Sequence, residues 1–177
     1  MFSNIIVPLD GTSFSEAELS YALALLPEGG KGHLILAMAT DEPPPVSDGD
    51  FLRCAEQAHN HCTSYLCRLV DEIRRIRPWL VVRARVLEGK PEKVIARIAK
   101  EELADLIIMA SHSEKGLARW LLGSVTEGVL RETTVPVLVV HPNNPSTESP
   151  LFSEEFRQHR PDPDTKAPST FVMLTMG

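Results

Sequence analysis

The chain has 177 residues, which fits one domain with a tail and is long enough to bury a real core. Its hydrophobic content of 43% and charged content of 24% are ordinary for a globular chain, and a net charge of −6 argues against binding nucleic acid by neutralising phosphates. No run approaches the ~18 apolar residues of a membrane span, and Met1-Phe2-Ser3-Asn4 lacks the basic start of a signal peptide, so a cytoplasmic location is expected, with neither membrane nor nucleic acid as partner.

In chain order, Asn4–Leu9 is a short apolar run ending at Asp10-Gly11, which predicts a buried strand and a turn. Pro8 lacks a ladder donor and belongs near the strand's end. Ser13-Phe14-Ser15-Glu16 matches a capping box for a helix to about Leu26, with Ala17, Tyr21, Ala24 and Leu25 as its apolar positions. His33–Ala39 reads as a second buried strand, and Asp41–Asp50, rich in Pro and Asp, as a loop. Phe51–Arg77 predicts a long helix ended by Pro78. Leu80–Leu87 alternates Val82, Ala84 and Val86 against Arg83 and Arg85, a half-exposed strand of period two. Pro91 opens a third helix, where its missing N–H does no harm. Leu106–Ala110, Ser124–Glu132 and Val135–Val140 complete the series as strand, helix and strand. Strands alternating with helices specify an α/β domain with a parallel sheet covered on both faces. The domain is expected over 1–142. From 143 to 177 the chain becomes a tail rich in Pro, Asp and Ser, in which Leu151–His159 could form a short helix and Phe171–Leu174 is an apolar patch for the domain or a protein partner.

Cys54, Cys62 and Cys67 lie on one predicted helix, and an odd number in a cytosolic chain implies reduced thiols. His59 and Cys62 stand three apart on that helix, but zinc needs about four converging ligands and no second pair is in view. No metal site is expected.

In an open parallel sheet a ligand sits beyond the carboxyl ends of the strands, where the strand order reverses. The first strand ends in Pro8-Leu9-Asp10-Gly11-Thr12, and the fourth in Met109-Ala110-Ser111-His112-Ser113. Both ends are polar and rich in small residues. The loop after Ser111 delivers Gly123-Ser124 at a helix N-terminus, where unpaired N–H groups favour an anion.

The segments Ile5-Ile6-Val7-Pro8-Leu9-Asp10, Asp105–Met109, Ser111-His112, Gly123-Ser124-Val125 and Val135–Val140, in that order and spacing, resemble the universal stress protein family across nearly all of Met1–Pro142. The resemblance implies an open five-stranded parallel sheet of order 3-2-1-4-5 with helices on both faces, of the adenine-nucleotide alpha-hydrolase-like kind. It implies homodimers paired through Val135–Val140, and regulatory roles. One branch binds ATP through a motif of Gly, two residues, Gly, nine residues, Gly, then Ser or Thr. Here that motif falls on Ala110, Ser113, Gly123 and Ser124: the spacing is kept and the first two glycines are replaced. Where a loop needs φ > 0, a side chain costs on the order of 1 kcal/mol, although the Ser113 hydroxyl could itself donate to a phosphate. Asp10 matches the carboxylate near adenine and ribose, Met38 the residue whose backbone reads the adenine edge, and Val125 follows Ser124 as in nucleotide-binding members. The implied site is therefore Pro8, Leu9, Asp10, Met38, Met109, Ala110, His112, Ser113, Gly123, Ser124 and Val125, with ATP or another adenine nucleotide as ligand and magnesium as its companion.

Each of these residues also has a plainer role: Asp10 as a turn residue, Ser124 as a helix N-cap, Met38 as core. Three functions follow: a nucleotide-binding regulatory module, a dimer of the same fold that has lost the nucleotide and works through protein contacts, or an enzyme. The last has least support. Ser111, His112 and Ser113 are adjacent on one strand end and point to alternate sides, and neither a GxxxxGK[ST] loop nor a clustered acidic pair is present. Slow ATP hydrolysis is the only turnover expected.

Overall fold

The structure is a computed structural model that describes residues 2–42, 49–110 and 123–140. Its elements are β1 (Asn4–Pro8), α1 (Ser13–Glu16), α2 (Glu18–Leu25), β2 (His33–Thr40), α3 (Gly49–Ile76), β3 (Val81–Glu88), α4 (Pro91–Glu101), β4 (Leu106–Ala110), α5 (Ser124–Glu132) and β5 (Val137–Val140). All strand pairs are parallel, in one sheet of order β3-β2-β1-β4-β5. The expected order is therefore found.

A right-twisted sheet admits only right-handed crossovers, so reversing the direction of winding moves the helices to the other face. The first core packs Ile5, Val7, Leu34, Leu36 and Ile108 against Leu19 and Leu23 of α2 and Leu66, Leu69 and Ile73 of α3. The second packs Ile6, Ile35, Ile107 and Met109 against Ile95 and Ile98 of α4 and Val129 of α5. Strand residues alternate between the two cores, which is why β1, β2 and β4 read as unbroken apolar runs. Each fully buried Ile or Leu contributes about 2 kcal/mol by leaving water. Edge strand β3 uses its alternation differently: Val82 is buried, while Arg83 and Arg85 reach Glu101 and Glu102 at the end of α4. Burial pushes the Glu102 carboxyl up, but hydrogen bonds and charge from Arg85 and Arg83 outweigh it and hold it below its ordinary range.

Several expectations are corrected. The first helix is broken at Ala17 into α1 and α2. Its cap is Thr12, whose Oγ1 accepts the Ser15 N–H at 3.2 Å, while Glu16 accepts the Tyr65 hydroxyl at 2.8 Å instead of closing a capping box. The face turned to the core is Glu18, Leu19, Ala22 and Leu23. Tyr21, Ala24 and Leu25 face solvent and Ala17 is only half-buried. Apolar residues lie all round this short helix, so its periodicity has two readings, and the buried Glu18 disguises the correct one. Strand ends move by a residue or two: β1 stops at Pro8, β2 continues to Thr40, β3 spans Val81–Glu88, and β5 begins at Val137. The long helix starts earlier, at Gly49, and ends one residue sooner, at Ile76. Most of the expected loop Asp41–Asp50, the stretch 111–122, the helix expected at Leu151–His159 and the whole tail 143–177 lie outside the described residues.

Candidate functional site

Because β2 and β3 lie to one side of β1 and β4 and β5 to the other, the order reverses between β1 and β4. Register there runs only through Ile5↔Leu106 and Ile6↔Ile107, whereas β1 stays paired with β2 as far as Pro8↔Ala37. The carboxyl ends of β1 and β4 therefore part, and the crevice that the topology calls for opens between them. Pro8 sits at that end of β1, where a missing donor does least harm.

Asp10 organises the first wall. The turn Asp10-Gly11-Thr12 needs a left-handed residue in the middle, and Gly11 supplies it at φ +84°. Asp10 is 2% exposed. Its Oδ1 accepts the Thr12 N–H at 2.8 Å, the Thr12 hydroxyl at 2.6 Å and the Ser15 hydroxyl at 2.6 Å. The side chain thus closes a turn on its own chain two residues on and ties it to the first turn of α1. Leu9 beside it is fully buried, and its N–H continues the ladder to Ala37 O at 2.8 Å.

The second wall is the end of β4. The Ile107 N–H bonds to Pro136 O, toward β5. By strand alternation the Ala110 N–H points the other way, toward β1 and the gap. It is not left unpaired: Glu18 Oε1 accepts it. Glu18 stands on the first turn of α2, is fully buried, and has its second oxygen, Oε2, unpartnered among the described residues. Burial pushes its carboxyl well above the ordinary carboxylate range. The Ala110 N–H works against that, and the charge of Asp10 adds to it. At the end of β2, Thr40 Oγ1 is likewise buried without a partner among the described residues.

The third component is the N-terminus of α5. Gly123, buried, is its N-cap, and no side-chain cap is made among the described residues. Ser124 is exposed in the first turn and is not the N-cap. Val125 packs in the second core with Met109, Ala37 and Ala39, which seats this helix start over the same end of the sheet.

Of the residues expected at the site, the structure brings together Pro8, Leu9, Asp10, Met109, Ala110, Gly123, Ser124 and Val125 at the carboxyl end. Met38 lies two residues before the end of β2; its side chain is 3% exposed in the first core, and its backbone stands in the ladder opposite Val86 of β3. His112 and Ser113 lie outside the described residues. Glu18 was missed. Its one signal in the sequence is a carboxylate on a helix that must cover the sheet, and the wrong choice of helix face hid it. Among the described residues no three His, Cys, Asp or Glu groups gather as for a metal. Burial pushes the Cys62 thiol up to about 12. Nor is any described helix long and apolar enough to cross a membrane.

Comparison with known proteins agrees with this architecture. The family model described as the universal stress protein family matches residues 1–141. Universal stress protein MJ0577 of Methanocaldococcus jannaschii is 37% identical over 92 residues, covering 52% of this chain and 53% of that protein, so the match spans about half the relative's length. Universal stress protein MJ0531 of the same organism is 28% identical over 144 residues, covering 79% of this chain and 82% of its own. In three dimensions the solved MJ0577 structure superposes with a TM-score of 0.62 at 29% identity, over 81% of this chain and 99% of that one. A universal stress protein family structure from Arabidopsis thaliana, solved with AMP bound, superposes at 0.58 over 84% of this chain and 97% of its own. At 14% identity it bears on the fold alone.

Proposed function

The chain belongs to the universal stress protein family, and from that premise we propose that it is a regulatory module that binds an adenine nucleotide, ATP foremost, in the crevice between β1 and β4, with no dedicated reaction. The observation that carries this reading is the pair of buried oxygens, Glu18 Oε2 and Thr40 Oγ1, both without a partner among the described residues and both at the carboxyl end of the sheet. Buried polar atoms are rarely left unpaired, because each orphan costs about 1–3 kcal/mol, and a ligand is one way to repay it. The α5 N-terminus, which has no side-chain cap among the described residues, supports a phosphate nearby. The same fold accommodates AMP in the Arabidopsis thaliana protein, which makes this nucleotide class the one to test. Equilibrium dialysis with ATP, AMP and cyclic AMP, with and without magnesium, should give saturable binding of at least one of them below millimolar concentration. Binding that never saturates refutes the reading.

A second reading, a homodimer acting through protein contacts without nucleotide, draws on a different observation. Among the described residues β5 is an edge strand, and its Leu138 is 37% exposed. An apolar edge left bare pairs readily with another chain. Light scattering on the wild type and on Leu138→Lys separates the cases: a dimer reduced to monomer by the lysine supports pairing through this strand, and a wild-type monomer removes it.

A further inference from the structure

Among the described residues Glu18 is a charged group at the crevice that neither the turn nor the sheet requires. A strand-end N–H at this position could have been left for water or a ligand, yet a carboxyl enters from α2 and takes it. We propose that Glu18 is a proton gate on the nucleotide crevice: carrying its proton it admits an anionic ligand, and ionised it excludes one. The proposal rests on the nucleotide reading above and specifies how that site is regulated.

The geometry supplies both states. Neutral, the carboxyl accepts the Ala110 N–H with Oε1 and presents an O–H at Oε2, where no described group accepts it. A buried carboxylic acid held neutral is a hydrogen-bond donor, and a phosphate or ribose oxygen arriving between β1 and β4 is a suitable acceptor. Ionised, the same group sets a second negative charge beside Asp10 in a place shielded from water, where repulsion of an incoming phosphate is weakly screened.

Among the described residues Asp10 is the charged side chain that acts on Glu18. β4, against which α2 packs, is Leu106–Ala110 and holds nothing titratable. The end of β1 contributes Asp10, whose Oδ1 is already committed to Thr12 and Ser15. On α1, Glu16 accepts the Tyr65 hydroxyl from α3. α3 also presents Cys62 to this core, with its thiol pushed up to about 12 by burial, and carries Arg68, whose Nε is buried. Asp10 is thus the charge that Glu18 feels, and it makes ionisation harder. The full burial of the group works in the same direction.

The test is ATP and AMP affinity for the wild type, Glu18→Gln and Glu18→Ala across the whole pH range in which circular dichroism shows each protein folded. Gln reproduces the neutral carboxyl in shape and keeps an acceptor for the Ala110 N–H. Wild-type affinity should fall as pH rises through the ionisation of Glu18, by at most about tenfold per pH unit, the slope of one proton. Glu18→Gln should lose that fall and keep only the pH dependence of the nucleotide itself. In parallel, the Glu18 carboxyl carbon followed by NMR in the wild type should titrate at higher pH when AMP is present. Binding with parallel pH profiles in wild type and Glu18→Gln overturns the gate while sparing the nucleotide reading. No binding in any of the proteins at any pH overturns both.

Discussion

Asp10 invites two explanations, a ligand contact and a turn residue, and one pair of substitutions separates them. Its Oδ1 receives three hydrogen bonds, at 2.6, 2.6 and 2.8 Å, from Thr12 and Ser15, at a side chain 2% exposed. A hydrogen bond to a charged acceptor is worth about 1.5–3 kcal/mol. Because one oxygen serves all three, the contributions overlap, and Asp10→Ala should cost about 3 kcal/mol rather than the full total. Part of that loss is the desolvation of the Thr12 N–H left without an acceptor, whereas the Ser15 hydroxyl still has Thr12 O at 3.0 Å. For a domain of this size, with a urea slope of about 2 kcal/mol/M, the midpoint should move down by about 1.5 M. Asp10→Asn keeps an oxygen in place of Oδ1 and should cost about 1 kcal/mol, since only the charge is lost. Urea unfolding followed by circular dichroism measures both. If Asp10→Ala unfolds within about 0.3 M of the wild type, the hydrogen-bonded turn is not what holds this wall of the crevice. Nucleotide affinity of Asp10→Asn then isolates the other role: with the turn intact, any loss beyond threefold reports a direct contact.

Two further substitutions test how α4 and α5 are seated. Leu103 occupies the left-handed position at the end of α4 with φ 51°, where the Ala104 N–H bonds to Ala99 O at 2.9 Å and the Leu103 N–H to Lys100 O at 3.4 Å, and its side chain is 78% exposed. Leu103→Gly should therefore raise stability by roughly 0.5–1 kcal/mol, relieving the Cβ at no loss of packing; an unchanged or lower urea midpoint contradicts this. Gly128 lies inside α5, where alanine is ordinarily better by about 1 kcal/mol, but here an added Cβ would meet Glu92 Cβ at 2.7 Å. Gly128→Ala should instead destabilise by about 1–2 kcal/mol as α4 and α5 are forced apart, and a gain in thermal midpoint would show that the helices give way freely.

The fold was legible because its strongest signals agree at every level. β1, β2 and β4 are apolar on both faces, as strands covered on both sides must be, and Pro91, Pro78 and the Gly29-Gly30 stop punctuate the helices between them. Where the reading failed, a buried polar group was the cause. Glu18 and Ser15 sit on the inner side of the first helical segment, so the apolar residues left over, Tyr21, Ala24 and Leu25, traced a face that points to solvent. The capping box failed similarly, since Glu16 is taken by a residue 49 positions away. A long-range partner of that kind has no local trace. Gly128 shows the same limit: the sequence holds a glycine within a helix, and only the approach of α4 says why.

Of the two replaced glycines only Ala110 lies among the described residues. Ala110 is an ordinary strand residue, not among the described residues with positive φ, and its methyl is buried in the first core. Glycine's conformational freedom is not needed at this position, so the methyl in itself removes nothing from the crevice. What alters the crevice is Glu18, which spends the Ala110 N–H inside the protein. On the proposed gate, a phosphate brought to this strand end would meet a carboxyl, and the sign of that encounter would depend on one proton. Reverting Ala110 to glycine should therefore leave nucleotide affinity within about twofold, because the N–H stays committed, whereas neutralising Glu18 should change it most at high pH. Equal responses to the two substitutions would mean that the backbone of the loop, and not the carboxyl beneath it, sets what this crevice holds.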